Sequence, residues 1–191
     1  MYPFFRFAAA VARARRAPRI GLFEATASDH WCLPWDLDPW VELNNGRTLT
    51  LYDLGRIPFA VRVGFHEAMQ ANRWGLTVAG VSVRYRRRVR AMEKFSIVTR
   101  MHGWDDRFIY IDQSIWKGAE CANQMLLRWA LTGKGGIVHP ARLIEAVAGP
   151  QDSPPLPGWV AAWIAADAER PWPPEPGPGA GAPGVAQRRP G

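Results

Sequence analysis

Apolar and polar positions change their period three times along this chain. The stretch "LFEATASDHWCLPWDLD", residues 22–38, is extended in character, and Pro34 argues against a helix there. From Gly46 to about Trp74 the pattern turns helical, with Leu51, Gly55 and Phe59 on one face and Leu54, Pro58 and Val61 on its neighbour. Asn44 or Asn45 is a good N-cap for this helix, Pro58 predicts a kink or a split, and Gly64 marks a second weak point. Four strand-like runs follow, at about 76–90, 93–103, 107–117 and 120–132; in the second, Phe95, Ile97, Thr99 and Met101 share a face. The breaks "GWDD" at 103–106 and "KGAE" at 117–120 are short enough to make neighbouring strands antiparallel. "HPARLIEAV" at 139–147 predicts a short closing helix. One strand, a long helix and a four-strand antiparallel meander make an α+β plan, in which the helix buries its apolar stripe against the sheet.

The two ends read differently. Residues 1–20, "MYPFFRFAAAVARARRAPRI", form a short aromatic and apolar helix followed by a basic segment, too short to span a bilayer and with its charges on the wrong side for a secretory signal. Such a helix packs on the domain or on a partner subunit. Alternatively it lies in a membrane interface, with Phe4, Phe5 and Phe7 in lipid and its arginines at anionic headgroups. Residues 149–191 read as a tail. Its last 22 positions hold seven prolines and five glycines and predict disorder, while "PGWVAAWIAADAE" before them predicts one short helix. The folded domain is therefore expected over about 21–148.

Charge narrows the function classes. The net +7 comes from two acid-free patches, five arginines in residues 1–20 and five in "RYRRRVR" at 84–90; the rest of the chain is slightly acidic. That is not a body built for polyanions, and the arginine strand lacks the interleaved aromatics of a base-stacking platform, so nucleic-acid binding is not expected. Cys32 and Cys121 form no C-x-x-C pair, which points to a reducing, cytoplasmic setting. His30, His66, His102 and His139 stand singly without metal-ligand spacing, and neither a metal nor a cofactor is expected. No G-x-S-x-G or phosphate-loop spacing is present.

The remaining chemistry sits in "DLDPWVELNNGR", residues 36–47. Counting from Asp38, asparagines follow at Asn44 and Asn45, a carboxylate at Asp53 and an arginine at Arg56. Together with "NNGRTLTLYDLGR", "VSVRYRRRVR" and "GWDDRFIYIDQ", this set resembles the hotdog-fold thioesterases of the 4-hydroxybenzoyl-CoA type over most of residues 1–148.

The resemblance implies a curled antiparallel sheet wrapped around a central helix, and an acyl-CoA or acyl-carrier thioesterase working as a homodimer or tetramer. It implies Asp38 as nucleophile or general base, with the amide near Asn45 polarising the carbonyl and Asn44 beside the substrate. Asp53 and Arg56 pair on one helical face as support. Arg84, Arg86, Arg88 and Arg90, read as one face of a strand, meet CoA phosphates. Two residues depart from the family pattern. Glu42 stands where many relatives have His, and could raise the Asp38 pKa by repulsion or serve as base itself. Thr48 stands where the nearer branch has Tyr. Both departures point to retuned or weak hydrolysis, and they favour the competing reading of a non-catalytic hotdog module that binds acyl ligands or a membrane surface.

Overall fold

The computed structural model describes residues 2–174, and the chain divides into two units, residues 1–156 and 157–191. The first unit runs α1 (Phe4–Arg16), β1 (Thr26–Trp31), a 3-10 turn (Pro34–Asp36), α2 (Asn45–Val63), α3 (Phe65–Asn72), β2 (Gly75–Tyr85), β3 (Lys94–Trp104), β4 (Phe108–Lys117), β5 (Glu120–Gly133), β6 (Gly136–Ile137) and α4 (Ala141–Ala148). The second holds α5 (Gly158–Glu169). The tail expected to be disordered lies, from residue 175 on, outside the described residues.

Every ladder is antiparallel, in the order β1-β3-β4-β5-β2, with β6 pairing the end of β5. Alternation decides which face is wet. Phe95, Ile97 and Thr99 of β3 pair with His30, Ser28 and Thr26 of β1, Ile97 and Thr99 also pair with Ile115 and Gln113 of β4, and these β3 and β4 side chains are buried. Met125, Leu127, Trp129 and Leu131 of β5 continue that inner face, and Leu51, Tyr52, Leu54 and Phe59 of α2 fill it, all at most 2% exposed. A curled sheet around a buried helix is the hotdog fold.

Gly55 lets the helix approach the sheet. A Cβ there would stand 2.6 Å from Ile97 Cγ2 and 2.8 Å from Thr99 Oγ1, both side chains of the buried sheet face. A branched residue cannot enter without moving the helix. Gly55→Val is therefore expected to lower stability by about 1–3 kcal/mol despite its better helix propensity, read as a shift in urea midpoint.

Two boundaries differ from the sequence expectation. The helix runs unbroken through Pro58 and divides at Gly64, which takes φ +95° and caps α2 by donating its amide to Ala60 O and Val61 O. The arginine strand ends at Tyr85 instead of continuing to 90: the amides of Arg86 and Arg87 both donate to Ala122 O at 2.9 Å, which breaks the alternation. The chain then turns so that Val89 O accepts from Leu43 N at 2.8 Å, bringing residues 88–90 to the loop before α2.

α1 packs on α2 through Ala10 and Ala14, small residues one turn apart that are both buried. Its C-terminal end is tied down by Arg19, which donates to Val61 O, and by Arg62, which donates to Pro18 O. Beneath α1, the His30 ring is buried against Phe95, with one ring nitrogen 2.8 Å from Ser28 Oγ. Burial first, then the charges of Arg6 and Arg13, push its pKa down to about 4, against the opposing pull of Asp29. An imidazole depressed below its usual value is protonated more readily in the unfolded chain. Its contribution is full above about pH 6.5 and is lost as pH falls towards 4, by about 3 kcal/mol in total. Urea midpoints at pH 7 and pH 4.5 check this: the acid loss is expected to be smaller in His30→Gln than in the parent protein.

Candidate functional site

The segment between β1 and α2 is built by its two aspartates in different ways. Asp36 is fully buried and accepts from Arg6 and from Arg47, each at 2.6 Å, and from Leu33 N at 3.1 Å. Its backbone carbonyl takes the Asn44 amide at 3.0 Å. One carboxylate thus ties α1, the 3-10 turn and the first turn of α2 together. Asp38 is half-buried, and its Oδ1 accepts from the amides of Trp40 at 2.9 Å and Glu42 at 3.4 Å. Its own amide donates to Glu42 O at 2.8 Å. These bonds close a tight loop, with Val41 held at φ 61° at its tip, a conformation unfavourable for a β-branched residue.

Asn44 is the N-cap of α2, its Oδ1 accepting from Arg47 N at 2.9 Å. The amides of Asn45 and Gly46 have no partner among the described residues, as expected of the first turn of a helix. With the dipole end of a helix of 19 residues, they leave a ready site for developing negative charge.

Beside this terminus lies a cavity of about 240 Å³. Glu42, Asn45, Thr48, Tyr85 and Asn123 line it, and Arg86, Arg87 and Arg88 rim it. Glu42 is pinned from both sides: Asp38 O and N hold its loop, and the backbone bridge to Arg90 sets it against the strand end. Its carboxylate pairs with Arg88 Nε at 3.0 Å. Tyr85 donates its hydroxyl to Asn45 O at 2.9 Å and so fixes the wall to the helix. Buried Tyr52 donates to Asn123 Oδ1 and so fixes that lining residue, and burial raises the phenol pKa far above its usual value.

The structure therefore gathers Glu42, Asn45, Arg86 and Arg88 of the sequence-derived set at one cavity. Asn44 and Asp38 shape its approach without lining it. Arg84 stands opposite Gln124, on the face away from α2, because its neighbour Val83 pairs with buried Met125. The four arginines thus do not share one face, since the strand on which that alternation rests stops at Tyr85. Asp53 and Arg56 form an ion pair on α2; Tyr2 donates to Asp53 at 3.2 Å, and Arg56 donates to Gln113 on the sheet at 3.4 Å. Burial lowers the Arg56 pKa while Asp53 works against that. They brace the helix between α1 and the sheet. Tyr85, Arg87 and Asn123 are among the lining residues that sequence reasoning did not name as site residues. Tyr85 and Arg87 stand inside the arginine run that drew attention, but Asn123 is 38 residues further on and meets Tyr85 only through the β2–β5 register.

Residues 32–164 match the sequence profile of the thioesterase-like superfamily. The chain belongs to that superfamily. Among relatives of this thioesterase-like protein is protein THEM6 of Xenopus laevis, 36% identical over 111 residues, 58% of this chain and 54% of that one. Another is protein THEM6 of Drosophila melanogaster, 34% identical over 83 residues, 43% of each chain. This chain thus spans about half the length of these curated relatives. Among solved structures it is similar to YbaW, a probable thioesterase from Escherichia coli, with a TM-score of 0.59 at 15% identity, covering 63% of this chain and 97% of that chain. It is also similar to Slr0204, a 1,4-dihydroxy-2-naphthoyl-CoA thioesterase from Synechocystis, with a TM-score of 0.56 at 8% identity, covering 65% and 96%. At such identities the structural likeness is one of fold, and the family membership rests on the superfamily match.

Proposed function

We propose that this protein hydrolyses an acyl-CoA or acyl-carrier thioester in the cavity at the N-terminus of α2, with Glu42 as the general base. The observation that carries the reading is the meeting, around one cavity, of the Glu42 carboxylate, Asn45 at the uncapped start of α2, and three arginines. In this reading Glu42 takes a proton from water, and the resulting hydroxide adds to the thioester carbonyl. The oxyanion forms against the helix amides, the C–S bond breaks, and Glu42 returns its proton to the departing thiolate. Water and thioester are consumed; acid and thiol are released.

Arg86, Arg87 and Arg88 suit the phosphates of the carrier. Arg87 and Arg88 already pair with Glu120 and Glu42, but both arginines are exposed, such pairs have small net strength, and a phosphate can displace them. Asp38, in the same reading, holds Glu42 in place through the loop.

A homodimer fits this chemistry. β2 is an edge strand of 11 residues with exposed Val78 and Val81, and pairing it with a second copy would cover that edge and wall in the neighbouring cavity. The test is release of free thiol from a panel of acyl-CoA and acyl-carrier substrates. No turnover on any of them would sink the hydrolase reading and leave an acyl-binding module.

A further inference from the structure

The side of the α2 terminus away from the cavity carries a feature the hydrolase reading does not use. Phe4 and Phe5, at the start of α1, are 66% and 94% exposed, and Trp35 in the 3-10 turn is 69% exposed. These three rings, from segments 30 residues apart, surround one mostly apolar hollow of about 510 Å³, with Tyr2 and Pro3 at its base. Their approach is built: Arg6 donates to Asp36 beside Trp35 and to Trp31 O at 3.0 Å, which fixes the first turn of α1 against that turn. Large exposed aromatics held in a group by a buried ion pair are not scattered surface residues.

The outer face of α1 continues the pattern. Ala10 and Ala14 face α2, which leaves Phe5, Ala8, Ala9, Ala12, Arg15 and Arg16 outward. Aromatics stand at one end, small apolar residues in the middle and arginines at the other, roughly 15 Å further along the axis at 1.5 Å per residue. Arg13 is exposed at the same end, and no acid occurs before Glu24. No described helix is long and apolar enough to cross a membrane.

We infer that this surface docks on an anionic phospholipid membrane, with Phe4, Phe5 and Trp35 entering the acyl boundary and Arg15 and Arg16 meeting the headgroup phosphates. Charge selects this occupant. The surface carries exposed arginines beside its exposed aromatics, and α1 holds no carboxylate, which complements anionic headgroups around an acyl boundary. The docking is independent of the catalytic reading, since neither Glu42 nor the arginine rim takes part.

Flotation of the full chain with vesicles tests it. With phosphatidylcholine vesicles containing about a third phosphatidylglycerol the protein is expected to float, and far less with phosphatidylcholine alone or at high salt. Phe5→Ser combined with Trp35→Ser is expected to weaken binding to both vesicle types at least tenfold, with an unchanged thermal midpoint. Arg15→Gln with Arg16→Gln is expected to lower only the anionic preference, by roughly fivefold per arginine. Flotation with neither vesicle type, or flotation indifferent to the aromatic substitutions, overturns the inference. So does a fall in oligomer size of the Phe5→Ser, Trp35→Ser protein in gel filtration, which would assign the patch to a second copy.

Discussion

Glu42→Gln is expected to lower thioester turnover at least a hundredfold, with KM and thermal midpoint close to those of the parent, whereas Asp38→Asn keeps most of the activity. The two carboxylates differ in what surrounds them. Asp38 spends its Oδ1 on two amides of its own loop, and an asparagine Oδ1 can accept the same bonds, so the exchange leaves the loop closed. Glu42 faces the cavity, and among the described residues its carboxylate pairs there with the exposed Arg88. An amide in its place keeps shape and a hydrogen bond but cannot take the proton from water, and loss of a positioned general base is worth about a hundredfold to ten-thousandfold. Steady-state kinetics of both variants decide the assignment. A silent Asp38→Asn protein beside an active Glu42→Gln protein would return the base to Asp38 and leave Glu42 as a partner for the arginine rim. Loss in both, with Asp38→Asn also destabilised, would instead mean that the loop cannot tolerate the change.

The legible part of this molecule is the part governed by local period. Phe95, Ile97 and Thr99 declare a strand face because a strand repeats every two residues, and the meander follows from turns too short for any other pairing. The order of strand, helix and meander then leaves few folds open. What was not legible depends on residues far apart in sequence. Asp36 and Asp38 sit two apart in one extended stretch and look alike. Asp36 is the buried one because Arg6, 30 residues earlier, and Arg47, 11 later, both reach it. The arginine run reads as one face only as long as the strand continues. The double acceptance at Ala122 O, which ends it, comes from another strand. The same break turns Arg86, Arg87 and Arg88 towards Glu42 and leaves Arg84 behind. Glu42, the residue that departs from the family pattern, lines the cavity beside these arginines.

Asp36→Ala is expected to be the most destabilising single substitution in the segment before α2, at about 3–5 kcal/mol. Its carboxylate is wholly buried between Arg6 and Arg47, whose side chains are 20% and 12% exposed. Removing the anion leaves two largely buried cations facing each other, a penalty larger than the net worth of the bonds lost. The damage should also be directional. Arg6 fastens the first turn of α1, and Arg47 the first turn of α2, so both elements lose their common anchor while the sheet keeps its ladder. Hydrogen exchange is expected to rise first in residues 4–16 and 45–48, with β3, β4 and β5 protected as before. If the loss comes from stranded charge, removing the charges together should restore much of it. Arg6→Met, Asp36→Leu and Arg47→Met combined are expected to fall within about 1–2 kcal/mol of the parent in urea unfolding, although Asp36→Ala alone does not. A triple variant no more stable than Asp36→Ala would mean that the geometry of the three-way bridge, and not its charge balance, holds α1 to the domain.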